Sequence, residues 1–178
     1  MTFNFDEFPI LHTKRLMLRA ITLADSAAIL RLRRDPEATR YSDGDPCDTL
    51  HDARLLINEI VHAYRDQRTI RWGVTLRDQP RLIGLCGYNY WVRPQQRASV
   101  GYELQRTYWG RGMMTEALRT VTEFGLNQMQ LRRIEATTYT ANHASIRVLE
   151  KVGFRCDSVG DNDENEEFMY FSLTNLTG

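Results

Sequence analysis

The stretch Trp109-Gly110-Arg111-Gly112-Met113 decides how this chain is read. Before it, residues 98–104 alternate like a half-buried strand; after it, Ala117, Leu118, Val121 and Phe124 recur at helical spacing up to about Gln128. The two glycines therefore fall where a strand hands over to a helix. The first turn of a helix carries N–H groups without partners and a partial positive charge. Glycines there let an anionic ligand approach the main chain with no Cβ in the way. The expected ligand is a phosphate-bearing cofactor.

Upstream of that strand, Ile70, Trp72, Val74 and Leu76 alternate, Arg77-Asp78-Gln79-Pro80 turns, and residues 81–91 form a second long strand. Gly84 and Gly87 mark irregularity or close packing within it. Further back, Lys14 to Arg19 alternates as a first strand, and Thr22 with Asp25 reads as a capping box opening a helix through about Arg33. Asp35-Pro36 ends that helix, and Thr49 with Asp52 caps a second one running to about Asp66. Downstream, Arg133 to Tyr139 is a strand and Ala141 to Lys151 a helix stopped by Gly153. A short strand near Phe154, an acidic turn and Phe168 to Leu173 follow. The order β-α-α-β-β-β-α-β-α-β-β describes one α+β domain over residues 1–178. Its sheet is largely antiparallel, with a βαβ crossover near the middle.

A length of 178 residues suits one domain with a real core. Basic and acidic side chains number 23 each, and this balance argues against a general nucleic-acid binder. No apolar run approaches the roughly 18 residues of a membrane helix. Residues 1–7 lack the basic start and apolar stretch of a signal peptide. Cys47, Cys86 and Cys156, with His12, His51, His62 and His143, show no metal-ligand spacing. The chain reads as a reduced, metal-free, cytoplasmic protein without direct contact to nucleic acid or membrane.

Several short motifs then occur in a fixed order: Gly101-Tyr102-Glu103-Leu104, Tyr108-Trp109-Gly110-Arg111-Gly112-Met113, Thr115-Glu116-Ala117-Leu118, and Asn142-His143-Ala144-Ser145 ending in Lys151-Val152-Gly153-Phe154. Together they resemble the GCN5-related N-acetyltransferase (GNAT) superfamily, and within it the RimJ/RimL-like branch that acetylates ribosomal-protein N-termini. The resemblance runs from the Arg15-Leu16-Met17-Leu18-Arg19 strand to the end of the chain. It implies the acyl-CoA N-acyltransferase fold, with about seven strands and four helices and a splay between the fourth and fifth strands. It also implies acetyl-CoA as co-substrate, no metal, and direct attack by an amine in a ternary complex. Carried over residue by residue, the donor site comprises Leu104, Gln105, Arg106, Trp109, Gly110, Arg111, Gly112, Met113, Met114, Asn142 and Ser145. The family's pyrophosphate loop is Gln/Arg-x-x-Gly-x-Gly/Ala, and here Thr107 stands where Gln or Arg is expected. Arg106 and Arg111 offer positive charge nearby, and a loop that binds through backbone N–H groups tolerates the change. In the family a β-bulge frees an N–H for the thioester carbonyl; it maps to Tyr102–Gln105, with Leu104 as the expected donor.

Acetyl transfer needs a neutral amine, a polarised carbonyl and a protonated leaving thiolate. Glu103 is the candidate general base, directly or through a water, or else a solvated strand carboxylate. Ser145 is the candidate acid implied by the resembled branch, or else a packing serine; Leu149 occupies the position where many acetyltransferases place a tyrosine. Asn142 also suits a helix N-cap, and His143 beside it reads as exposed. Cys86 and Cys156, in apolar strand contexts, read as buried and inert rather than as acetyl carriers. Two acidic loops, with Asp43, Asp45 and Asp48 and with Asp161, Asp163, Glu164, Glu166 and Glu167, either steer a cationic acceptor or are simply solvated. Tyr41, Tyr88, Tyr90, Trp91 and Tyr170 divide between core and acceptor cleft. The acceptor is a protein N-terminus or a small amine, and a non-catalytic CoA-binding sensor stays open. Exposed strand edges allow a homodimer.

Overall fold

The computed structural model describes residues 3–42, 44, 46–161 and 167–175. Of the two acidic loops, Asp43, Asp45, Asp163, Glu164 and Glu166 lie outside the described residues.

Alternation in the sequence becomes an eight-stranded sheet built from β1 (Leu11–His12), β2 (Leu16–Arg19), β3 (Arg71–Leu76), β4 (Gln79–Val92), β5 (Arg97–Leu104), β6 (Arg133–Tyr139), β7 (Arg155–Asp161) and β8 (Glu167–Thr174). The spatial order is β1-β2-β3-β4-β5-β6-β8-β7. Every neighbouring pair is antiparallel except β5 and β6, which the long crossover makes parallel. Five helices accompany the sheet: α1 (Ser26–Arg34), α2 (Pro36–Thr39), α3 (Leu50–Arg65), α4 (Met113–Asn127) and α5 (His143–Val152). The eighth strand and fifth helix are the two-residue β1 and the four-residue α2, too short to carry a periodic signal.

Local chemistry explains the boundaries. Thr22 and Asp25 form their capping box, and it opens a 3-10 turn that runs into α1. Thr49 and Asp52 cap α3 in the same reciprocal way. Pro36 ends α1 and starts α2 as its first residue, where a missing N–H costs nothing. Gly153, at φ +108°, closes α5 with the left-handed residue that a C-terminal stop needs.

Helices cover both faces of the sheet. On one face α4 and α5 pack Met113, Leu118, Val121 and Leu149 against Trp72, Tyr88 and Val100. On the other, Ile29 and Leu32 of α1 and Ile57 of α3 pack on Leu82 and Leu85. Fully burying a large aliphatic side chain contributes about 1.5–3 kcal/mol, so these two layers hold the sheet rigid beneath the cleft.

The β5–β6 ladder spans only Arg97–Arg133, Ala98–Ile134 and Ser99–Glu135. Beyond Ser99 the two strands diverge, opening the splay that the family resemblance implies. The bulge is placed differently from expectation. β5 stays in register with β4 from Val100 to Leu104, whereas Asn89 is the extra residue, between the Tyr88–Val100 and Tyr90–Ser99 pairs of β4 and β5. The bulged strand is therefore β4, not β5 at Leu104.

Candidate active site

The splay leads into a cavity of about 880 Å³ between β5, β6 and the N-terminal ends of α4 and α5. Of the expected donor residues, Leu104, Trp109, Gly110, Gly112, Met113, Met114, Asn142 and Ser145 line it. Gln105, Arg106 and Arg111 lie outside that lining. Gln105 is tied back to β4, its backbone N–H donating to Ile83 O at 2.9 Å and its Nε2 to Leu82 O at 3.1 Å. Arg106 faces Asp35 at 3.5 Å. Arg111 contributes its carbonyl to Arg15 Nη1 at 2.9 Å.

An amide can still point into the splay without a bulge on β5. The N–H groups of consecutive strand residues point alternately to either side. Since the Gln105 N–H turns toward β4, the Leu104 N–H turns away from it. The Leu104 carbonyl confirms that direction by accepting Trp109 Nε1 at 2.7 Å. The Tyr102 N–H, two residues earlier, has the same sense.

The glycine run has the conformation that anion binding requires. Gly110 and Gly112 have φ of +72° and +70°, and Gly112 caps α4 with no side chain over the first turn. The amides of residues 113–115 lack intrahelical partners by helix geometry. A pyrophosphate fits this edge: the backbone donors are free, and no Cβ stands in front of them. The loop is also braced. Glu116 in the first turn of α4 accepts from Arg15 N at 2.8 Å and Arg15 Nε at 2.7 Å, and it also accepts from Thr13 Oγ1. Burial alone raises the Glu116 pKa, but these hydrogen bonds outweigh it and hold the carboxyl below its usual value. Arg147 and Lys151, one turn apart on α5, also border the cavity, where their charge suits a phosphorylated ligand. Their i,i+4 spacing was the available signal for them.

Alanine at Gly110 tests backbone conformation alone, because a Cβ there meets nothing within 4 Å. We expect Gly110→Ala to lose about 1–2 kcal/mol of stability from the left-handed φ. It also raises KM for acetyl-CoA with little change in kcat. Steady-state kinetics with denaturant melts check this, and an unchanged KM removes the loop from donor binding.

Ser145 and Glu103 occupy opposite sides of β5. The Ser145 N–H donates to Asn142 Oδ1 at 3.1 Å, so Asn142 does cap α5. Ser145 Oγ lies 2.7 Å from the Tyr102 hydroxyl, which also reaches the Ser145 carbonyl at 3.4 Å. Tyr102 is half-buried, and burial pushes its phenol pKa upward, keeping it a neutral hydroxyl. Sequence reading missed this tyrosine as a site residue, because nothing local links positions 102 and 145. His143 is exposed, as expected.

Glu103 points to the α1–α3 face and is buried. Its Oε1 accepts from Arg33 Nη2 at 2.6 Å and from Arg71 Nη2 at 2.9 Å. Its Oε2, Arg33 Nε and Arg71 Nε are buried with no hydrogen-bond partner. The glycines beside it make this space: a Cβ on Gly87 would meet Arg71 Cα at 2.5 Å, and one on Gly101 the Asn89 amide at 2.6 Å. Tyr41 borders the cavity as well, with its ring 5.5 Å from that of Tyr139. Tyr88 is core, its hydroxyl bonded to Val121 O at 2.8 Å, whereas Tyr90 and Tyr170 are exposed.

The cysteines divide against expectation. Cys86 is buried, and burial pushes its thiol up to about 12, which leaves it unreactive. Cys156 is exposed, because β7 is an edge strand with little cover. It does not line the cavity. In the folded protein a thiol reagent should modify Cys156 and spare Cys47 and Cys86, and Cys156→Ser should keep full activity. Mass spectrometry after alkylation gives the first result, and loss of activity in the serine variant would revive a covalent acetyl carrier.

The acetyltransferase (GNAT) domain family matches residues 15–155, and the chain belongs to that family. It is 37% identical over 152 residues to the uncharacterized N-acetyltransferase YoaA of Bacillus subtilis, covering 85% of this chain and 86% of that protein. Among solved structures it resembles a GNAT-family acetyltransferase from Bacillus anthracis, with a TM-score of 0.82, 21% identity, and coverage of 93% and 98% of the two chains. It likewise resembles RimL, a ribosomal-protein alpha-N-acetyltransferase in complex with coenzyme A, with a TM-score of 0.84, 16% identity, and coverage of 93% and 98%. The chain is thus an acetyl-CoA-dependent N-acetyltransferase with the acyl-CoA N-acyltransferase fold. Among the described residues no cluster of side chains forms a metal site, and no helix is long and apolar enough to cross a membrane.

Proposed function

We propose that the acceptor is the N-terminal α-amine of a protein, such as a ribosomal protein, and that Glu103 and Ser145 serve the transfer from opposite faces of β5. The supporting observation is that Tyr102, bonded to Ser145, and Glu103 are consecutive residues of the strand bordering the splay. Adjacent strand side chains point to opposite faces. A group attacking from the α1–α3 side and a group leaving toward α5 are therefore served by different residues without crowding.

Bound acetyl-CoA supplies an activated thioester acetyl group. Gly110, Gly112, Met113 and Met114 would hold its phosphates through the backbone, with Trp109 and Asn142 at the borders of the cleft. The Leu104 N–H is aimed to donate to the carbonyl oxygen as negative charge develops there. Glu103, through Oε2 or an intervening water, takes the proton of the attacking amine. An α-amine titrates near about 8 and asks little of its base. Ser145 Oγ–H gives a proton to the departing sulfur while the neutral Tyr102 hydroxyl hydrogen-bonds the serine oxygen, and solvent returns the serine proton as product leaves. The fold shared with RimL supports a protein acceptor.

Thiol release measured with a panel of N-terminal peptides and polyamines tests this. Saturable turnover of peptides alone is expected. Turnover of polyamines alone would move the acceptor to small amines, and coenzyme binding without turnover of any amine would make the chain a sensor.

A further inference from the structure

Arg33 and Arg71 stand on the acceptor side of β5 with a single carboxylate between them. Side-chain exposure is 4% for Arg33 and 7% for Glu103, and 18% for Arg71, the most exposed of the three. Arg40 and Glu37, which also border the cavity, pair with each other at 3.9 Å. Among the described residues, the buried trio therefore carries two positive charges and one negative. Among the described residues, Arg33 Nη1 donates to Ser42 Oγ at 3.2 Å and Arg71 Nη1 to Asn89 Oδ1 at 3.5 Å. Both Nε–H groups are left over, as is Glu103 Oε2.

Buried polar atoms without partners are costly, and a guanidinium only donates, most strongly to an anion. The three side chains line the cavity, and just behind its surface they bring unpaired donors, suited to a carboxylate, beside an unpaired acceptor, suited to an ammonium or amine.

We infer that the acceptor carries a carboxylate close to its amine, held by Arg71 and Arg33 while Glu103 Oε2 receives the amine. This rests on the reading of Glu103 as the residue that meets the amine. The carboxylate has two possible sources: the side chain of an acidic residue at the start of a peptide, or the α-carboxylate of a free amino acid.

The test compares isosteres on the wild-type enzyme. Amidated Ser-Glu-Ala and Ser-Gln-Ala peptides form one pair, and serine and serinamide form the other. Each pair is assayed for thiol release with acetyl-CoA, and for binding by calorimetry to the enzyme saturated with coenzyme A. A charge-assisted bond to a buried arginine predicts about a 10- to 100-fold preference in kcat/KM and affinity for the carboxylate member of one pair. Arg71→Met should collapse that ratio toward unity, and Arg71→Lys should retain part of it. Equal handling of both members in both pairs, in turnover and in binding, overturns the inference, as does a preference that survives Arg71→Met. The pair that responds names the source. Turnover of both peptides without charge preference would leave the protein-acceptor proposal standing and sink this one alone. Preference for serine over serinamide with silent peptides would do the reverse.

Discussion

Ser145→Ala should lower kcat about 100-fold while leaving KM for acetyl-CoA close to wild type, as expected when a proton donor acting in the transition state is removed. Tyr102→Phe should cost less, about tenfold, since it removes one hydrogen bond and leaves the serine hydroxyl in place. The double variant should be little worse than Ser145→Ala, because the tyrosine acts through the serine; such non-additivity marks contacting residues. Burial raises the Tyr102 pKa above its ordinary value of 10.0, so the neutral phenol persists as pH rises. The alkaline side of the rate profile should accordingly show no fall attributable to this pair below pH 10.0. Steady-state and pH-rate kinetics of the three variants decide the matter. Additive losses would separate the tyrosine from the serine, and full activity in Ser145→Ala would remove the acid.

Glu103→Gln should damage folding and catalysis together. The carboxylate is the shared partner of Arg33 and Arg71, and removing one member of a buried ionic group typically costs about 3–5 kcal/mol. Denaturant unfolding should register a loss toward the lower end of that range, because glutamine keeps the shape and one acceptor oxygen. Activity at neutral pH should fall sharply, then recover in part as pH climbs past the amine's value of about 8, where the neutral nucleophile forms without help. That recovery distinguishes a base from an anchor. A loss of equal size at every pH would make Glu103 purely the holder of the arginines, and unchanged activity would take it out of the reaction.

Much of the donor half was legible in the sequence because it is written in main-chain terms. Gly110 and Gly112 announce left-handed backbone, Thr49 and Asp52 announce a helix start, and the alternation through Leu104 announces the strand that stops at the splay. The order of short motifs carried the fold and the co-substrate. What stayed hidden depends on side chains converging from distant segments. Arg33 looks like one more arginine in the Arg31–Arg34 run of α1, and only the packing of α1 on the sheet delivers it to Glu103. Arg71, at the start of β3, is brought there by the register that sets it opposite Gly87. Tyr102 meets Ser145 across an entire crossover. The bulge moved from the expected strand to its neighbour because either member of a pair can carry the extra residue, and alternation cannot say which. Cys156 misled because an edge strand and a central strand look alike until the sheet order is known.

The Arg15–Glu116 brace has a consequence for dynamics. Thr13 and Arg15 of the N-terminal strand region, the first turn of α4 and the carbonyl of Arg111 are held by a single carboxylate and a single guanidinium. The phosphate-facing loop is therefore not a free flap; it opens only if the end of the sheet loosens with it. Amide protons of residues 11–19 and of residues 110–116 should exchange with solvent as one cooperative unit, and occupancy by the donor should slow both together although it touches only the second. Ligand binding at the centre of the molecule would then be legible at its edge.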